Sequence, residues 1–292
     1  MNRKKISGFE IFNAALMIVL MAIMIYPVVY VFSMSVSEPN AVMANRVKLF
    51  PIGFSLQAYK MIFSDVQMLR YYANTILYAF TGTAGMLAVT MMAAYAMTRK
   101  HFFLRGPFTT YMAITMFFGC DLIPSFMVNK TLGLYNNIWI MILPGLASAW
   151  NIIVARVFIQ DSIGESLVEA AQIDGYNDLQ LFFAIIMPLS TPIIAYLALF
   201  SLVGHWNSYF NAMIYISDQS LQTLQVIIKN IMAAIDVTTT DGLSPEVIAE
   251  RIKTKELVKY AVVVVSTVPA LAIFPFVQKY FVKGVMVGAI KG

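Results

Sequence analysis

Charge is scarce in this chain. Only 12% of its 292 residues are Asp, Glu, Lys or Arg, against 60% hydrophobic, whereas a soluble domain is about one quarter charged and about half apolar. So few polar side chains do not cover that much apolar surface in water, which excludes an ordinary soluble globule. Cysteine is nearly missing: Cys120 is the single one, so neither a disulfide framework nor a cysteine metal site can form within the chain. Histidine is limited to His101 and His205, which gives no pair at metal-ligand spacing. No Gly-Lys-Ser/Thr phosphate loop is present, so a Walker site for ATP is excluded. A catalytic constellation is also lacking, because the only ionisable candidates at membrane depth, Asp121 and His205, fall on different predicted helices. The excess of positive charge, +5 overall, lies beside hydrophobic runs and forms no continuous basic face. It fits anchoring at a membrane surface and sets nucleic acid aside.

What the chain has is long apolar blocks separated by short polar stretches. A helix needs about 20 mostly apolar residues to cross the hydrocarbon layer with every backbone amide bonded inside the segment. Six stretches qualify, near 11–34, 73–97, 107–128, 137–159, 185–210 and 260–281. The expected fold is all-α: one polytopic domain over 1–292 with six transmembrane helices. The basic N-terminus before the first run has the look of a signal peptide, but the run reaches Met34 without a small-residue cleavage pattern and reads as a retained span. Arg3, Lys4 and Lys5, with Arg99, Lys100 and Arg105 in a short loop, place both termini in the cytoplasm. The raw tally of Lys and Arg is even between the two sides, but the outer ones sit mostly in the long loops 35–72 and 211–259, which weigh less in setting orientation.

The cytoplasmic segment at about 160–187 is too polar to span and too patterned to be a passive link. Ser162 with Glu165, and Ser166 with Glu169, are spaced as capping boxes, so a helix is expected to begin there. Gly175 supplies a left-handed stop, and Asn177 is placed to cap a second short helix that runs to Pro188. Leu167, Val168, Ala170, Ala171 and Ile173 give the first helix an apolar surface of small and medium side chains, while Glu165, Glu169 and Asp174 add negative charge. An amphipathic helix lying on the membrane usually carries Lys and Arg on its polar face. None occurs between Asp161 and Pro188, so docking into a groove on another protein is the stronger reading.

Glu169-Ala170-Ala171, three residues, Gly175, nine residues, Ile185, one residue, Met187-Pro188 resembles the signature loop of permease subunits in type I ABC importers, with Met187 as the one conservative departure. Ala94-Tyr95-Ala96 closing the second span and the tail from Lys283 to Gly292 agree with it. The whole chain is similar to the carbohydrate branch that serves oligosaccharides and polysaccharides such as alginate. The resemblance implies that the segment is a coupling helix seated in a cytoplasmic ATPase dimer. Glu165, Glu169, Ala170, Ala171, Asp174, Gly175 and Pro188 would be its coupling residues, with Glu169 meeting a basic residue of the ATPase. It implies further partners: a second homologous permease in a heterodimer, an extracellular or periplasmic solute-binding protein, a sugar and the lipid membrane. This chain would bind no cofactor, ATP and Mg belonging to the ATPase.

Polar residues within the spans suggest where the sugar passes. Asp121 lies in the predicted third span, where a carboxylate is expensive and faces the bundle interior, a partner or water; a structural hydrogen bond is the competing role. The end of the fifth span, with His205, Trp206, Asn207, Tyr209 and Asn211, mixes aromatic faces with hydrogen-bonding groups that suit a sugar, although interfacial anchoring explains Trp and Tyr equally well. The Met-rich runs read as adaptable packing. The stretch from Asp218 to Lys259, with its polar run Thr238–Glu246, is either a docking surface for the binding protein or an exposed link between spans. An ion-driven secondary carrier or channel would account for the spans and an intramembrane acid, but not for the acidic, Gly-hinged loop.

Overall fold

A computed structural model describes residues 7–64, 66–236, 244, 252–253, 256–272 and 275. Thr238–Glu246 (apart from Ser244), most of the helical pattern that follows it and the tail from Lys283 therefore lie outside the described residues. The chain divides into two compact units, one of residues 1–69 with 228–268 and one of residues 70–227 with 269–292. Among the described residues the secondary structure is helical, apart from an isolated bridge between Ser37 and Phe54.

In the first unit, α1 (Gly8–Ser35) opens with a capping box: the Ser7 hydroxyl accepts from the Glu10 amide at 3.2 Å and the Ser7 amide donates to Glu10 Oε2 at 2.8 Å. Its 28 residues extend roughly 42 Å, and its apolar side chains are exposed along nearly the whole length. A helix that is apolar all round and this long has the length and composition to cross hydrocarbon. Only its last turn is buried. There Ser33, Ser35 and Ser37 fasten the following loop, with α2 (Pro39–Met43) and α3 (Gln57–Phe63), through bonds from Ser33 to the Leu49 carbonyl at 2.7 Å and between Ser35 and Tyr59 at 2.7 Å. Residues 256–272 are also helical, and Tyr260 meets the ring of Tyr30 edge-on at 6.2 Å.

The second unit holds most of α4 (Val66–Thr98), then α5 (Arg105–Phe117), α6 (Leu122–Thr131), α7 (Ala149–Ser162), α8 (Glu165–Ile173), α9 (Asp178–Leu181), α10 (Met187–Leu189), α11 (Thr191–Trp206) and α12 (Phe210–Tyr215), and α13 (Leu224–Asp236) begins in it. Met86, Met91, Tyr95, Ile159, Leu181 and Ile186 are among the buried residues of its main core. The methionines there pack apolar surface.

Among the described residues two helices are each long and apolar enough to cross a membrane, α1 and α4, and two bent pairs qualify if each is counted as one span. The third predicted span is broken. Pro124 has no amide proton and its ring clashes with the carbonyl four residues back, that of Cys120, so no continuous helix runs from 107 to 128. Phe118 leaves the helical conformation, α6 restarts at Leu122, and Asp121 stands extended at its N-cap position. The fourth is bent by 45° between Ile138–Gly145 and α7, where Pro144 and Gly145 interrupt it. The fifth is bent by 76° between Asp178–Leu189 and α11. There Pro188 and Pro192 remove two helix donors, and the turn before Pro188, Phe182–Ile186, widens to π geometry that relieves the carbonyl clash.

Candidate functional site

The segment after α7 folds into a helix, a sharp turn and a second helix, but its start differs from the sequence expectation. Ser162 is spent in the last turn of α7 and Ser166 lies inside α8; the N-cap is Gly164, with no side-chain cap bond. Neither expected capping box forms. Buried Ile163 is extended between the two helices, and Glu165 occupies the first turn of α8, where the helix dipole favours a carboxylate. The C-terminus follows the expected chemistry. Gly175 has φ +82°, its amide donates to the Gln172 carbonyl, and the Tyr176 amide donates to Ala171, both at 3.0 Å. These are the two bonds of a Schellman motif. Asn177 then caps α9 reciprocally with Gln180, at 2.9 and 3.0 Å.

The apolar residues of α8 divide between two faces. Val168 and Ala171 are buried in the protein's own core with Leu181, Phe182 and Ile186. Ala171 therefore faces inward rather than into a partner. Leu167, Ala170, Glu169 and Asp174 are exposed, and the outward ridge continues through Ile173 (87% exposed), Leu179 (71%) and Phe183 (64%). Asp174, Gly175, Tyr176, Leu179, Gln180 and Phe183 line a shallow depression on this side. Burying three such apolar side chains contributes roughly 5–9 kcal/mol, against about 0–1 kcal/mol for an exposed ion pair.

Side chains at the end of α4 and just beyond it meet both ends of this segment. The Tyr95 hydroxyl donates to Asp178 Oδ1 at 3.1 Å, and its ring lies 5.3 Å from that of Phe182. The Arg99 guanidinium stacks 4.4 Å from the Tyr95 ring centre. Lys100 pairs with Glu165, and the hydrogen bond and charge of Glu165 raise the ammonium pKa above its ordinary value. The cations missing from 161–188 thus come from a neighbouring loop, which sequence spacing did not reveal. The one local signal was Tyr95 between two alanines, small neighbours that allow close approach.

A second group of polar residues lies deeper. His205 rests against α4 where there is no side chain: a β-carbon on Gly82 would stand 2.5 Å from its Nε2, and one on Gly145 would stand 3.9 Å from the same atom. Gly85 makes the same room for Leu146. Next to His205 is a hollow lined by Asn151, Ser201, Ser208 and Asn211. Asn211, Ile140 and Pro144 also line a second hollow, with Cys120, Ser125 and Asn129. His205 and Asn211 are thus brought together, but the other predicted path residues are not. Trp206 is 4% exposed and packs 6.2 Å from the ring of Tyr72. Asn207 turns back to donate to the Val203 carbonyl at 2.9 Å, Tyr209 lies edge-on to Phe210, and neither lines these two hollows. Asp121 is exposed beside Cys120 and makes no cap bond. Asn151 and Ser201 were not singled out from sequence, being isolated polar residues in apolar runs, and Asn129 and Ser208 stand beside more conspicuous polar neighbours. Among the described residues no cluster of three His, Cys, Asp or Glu could hold a metal.

Residues 8–287 match the family described as binding-protein-dependent transport system inner membrane component. The chain is 34% identical over 284 residues to the polygalacturonan/rhamnogalacturonan transport system permease protein YtcP of Bacillus subtilis (strain 168), covering 97% of this chain and 98% of that one. It is also 34% identical over 291 residues to protein LplC of the same organism, covering 100% and 97%. A chain in the crystal structure of a bacterial ABC transporter involved in the import of the acidic polysaccharide alginate superposes with a TM-score of 0.82 at 33% identity, over 96% of this chain and 100% of that one.

Proposed function

Since the chain belongs to the binding-protein-dependent transport system inner membrane component family, we propose that it is a permease subunit of an ATP-driven importer for oligosaccharides or polysaccharides, acidic ones such as alginate included. In this reading the chain is one multi-pass domain in the cell membrane with both termini cytoplasmic. It works with a second permease, an ATPase dimer that holds ATP and Mg, and a solute-binding protein outside. The observation that carries it is the exposed, acidic, Gly-hinged pair α8 and α9, clamped from behind to a membrane-length helix. ATP closes the ATPase dimer, the α8–α9 ridge moves with it, and the clamp at Tyr95 and Lys100 passes that movement to α4. Gly82 on α4 supports His205, so displacement of α4 reshapes the polar hollow and the access of sugar to it. His205 and Asn211, with Asn151 and Ser208, are the wall this subunit offers to sugar hydroxyls.

The test is to purify the tagged chain from its native membranes in mild detergent and assay ATP hydrolysis. The expected result is an ATPase and a second permease in the preparation, with hydrolysis stimulated by loaded binding protein. A chain free of any ATPase, whose transport collapses with the ion gradient and persists without ATP, would establish the secondary carrier instead.

A further inference from the structure

Arg105 begins α5 and Arg156 lies six residues before the end of α7, so the two sit together where these packed helices reach the same side as α8. Arg156 Nη1 donates to Thr109 Oγ1 at 3.1 Å, which orients its guanidinium, while its Nε is buried with no partner. Thr109 stands one turn beyond Arg105 on α5, and neither arginine is in an ion pair among the described residues. Arg105 shares a cleft with Glu165, which Lys100 holds, and with Glu169, whereas Arg156 is not part of its wall. A half-buried guanidinium outside any ion pair, as at Arg156, is costly unless an anion meets it. Phe103 just before α5, Phe108 and Tyr111 on α5 and Val157 on α7 are exposed apolar and aromatic side chains.

We infer that Arg105 and Arg156 form a binding site for the phosphate headgroup of an anionic phospholipid of the cytoplasmic leaflet, with its acyl chains against Phe108 and Tyr111. Arg matches a phosphate with two parallel N–H donors, and a basic residue near an anionic headgroup strengthens binding roughly fivefold. The inference rests on the orientation proposed above. Because the cleft beside the site is walled by α8, a bound headgroup would also steady the coupling segment from behind.

The experiment is native mass spectrometry of the intact complex released from bilayers of phosphatidylcholine with one third phosphatidylglycerol. The wild-type complex is expected to retain phosphatidylglycerol over phosphatidylcholine, Arg156→Gln to lose that retention roughly fivefold, and Arg105→Gln/Arg156→Gln to lose it roughly twenty-five-fold. Thr109→Val, which removes only the hydroxyl that orients Arg156, is expected to weaken retention with the complex intact, and it serves if the arginine variants fail to assemble. Unchanged retention in these variants would overturn the site. So would binding of inorganic phosphate to the lipid-free complex that the same substitutions abolish, because the site would then serve a soluble anion. The readout needs no transport, so failure here is distinct from failure of the importer reading.

Discussion

A left-handed backbone at residue 175 costs a side chain with a β-carbon about 1–2 kcal/mol, and no atom stands within 4 Å of where that β-carbon would point. Conformation, rather than room within this chain, is therefore what the position demands. Asn tolerates the left-handed region far better than a β-branched residue, so Gly175→Asn is expected to keep most of the ATPase association and sugar uptake that Gly175→Val loses. Equal loss in both would move the cause to crowding inside the partner. Gly82 has the opposite problem. A β-carbon there would stand 2.5 Å from the His205 ring, and overpacking of that kind costs about 1–3 kcal/mol. Gly82→Ala is expected to lower the thermal midpoint of the complex, and adding His205→Ala is expected to restore it; no restoration would show that the ring is not what the glycine accommodates. The two glycines differ in how they could be found. Gly175 was legible because a helix stop is a local event, with its bonds to Gln172 and Ala171 set by neighbours in sequence. Gly82 was not, because the ring it accommodates comes from another helix.

At the scale of elements, α8 owes its position to α4. The Tyr95–Asp178 bond joins a neutral hydroxyl to a carboxylate and contributes about 1.5–3 kcal/mol. If it transmits motion, Tyr95→Phe leaves assembly and basal ATP hydrolysis unchanged but lowers the sugar imported per ATP, while Asp178→Asn, which keeps an acceptor oxygen, behaves nearly as wild type. An equal fall in basal hydrolysis and uptake for Tyr95→Phe would give the bond a merely structural part. Existence and order of α8, the turn and α9 were readable from their cap chemistry, yet the start of α8 was not. Ser162 and Ser166 have the right spacing for caps, but the continuation of α7 through Ser162 consumes the first and leaves Gly164 as the boundary. The run at 107–128 has the composition of a span, and Pro124 with its carbonyl clash decides against a continuous one. Hydropathy averages over a window, whereas one proline acts on a single bond.

On the whole-molecule scale, composition established a chain whose solvent is largely lipid, and α1 bears this out with its uncovered apolar length. Composition does not reveal which apolar surfaces meet lipid and which meet protein, because Ile173 on α8 and Ile18 on α1 are equally hydrophobic and both exposed. The difference lies in the company each keeps: Ile173 stands among Asp174, Glu169 and a glycine turn on a segment too polar to span. In the proposed reading this ridge is where the chain meets an ATPase. The most direct test of that contact is co-purification with the Ile173→Glu/Leu179→Glu variant, both side chains being exposed so that the fold itself loses little. Retention of the second permease serves as the internal control for assembly in the membrane. The account predicts that the wild-type chain brings down both the ATPase and the second permease and that the variant keeps the permease and loses the ATPase. A variant that retains the ATPase at the wild-type level would contradict it.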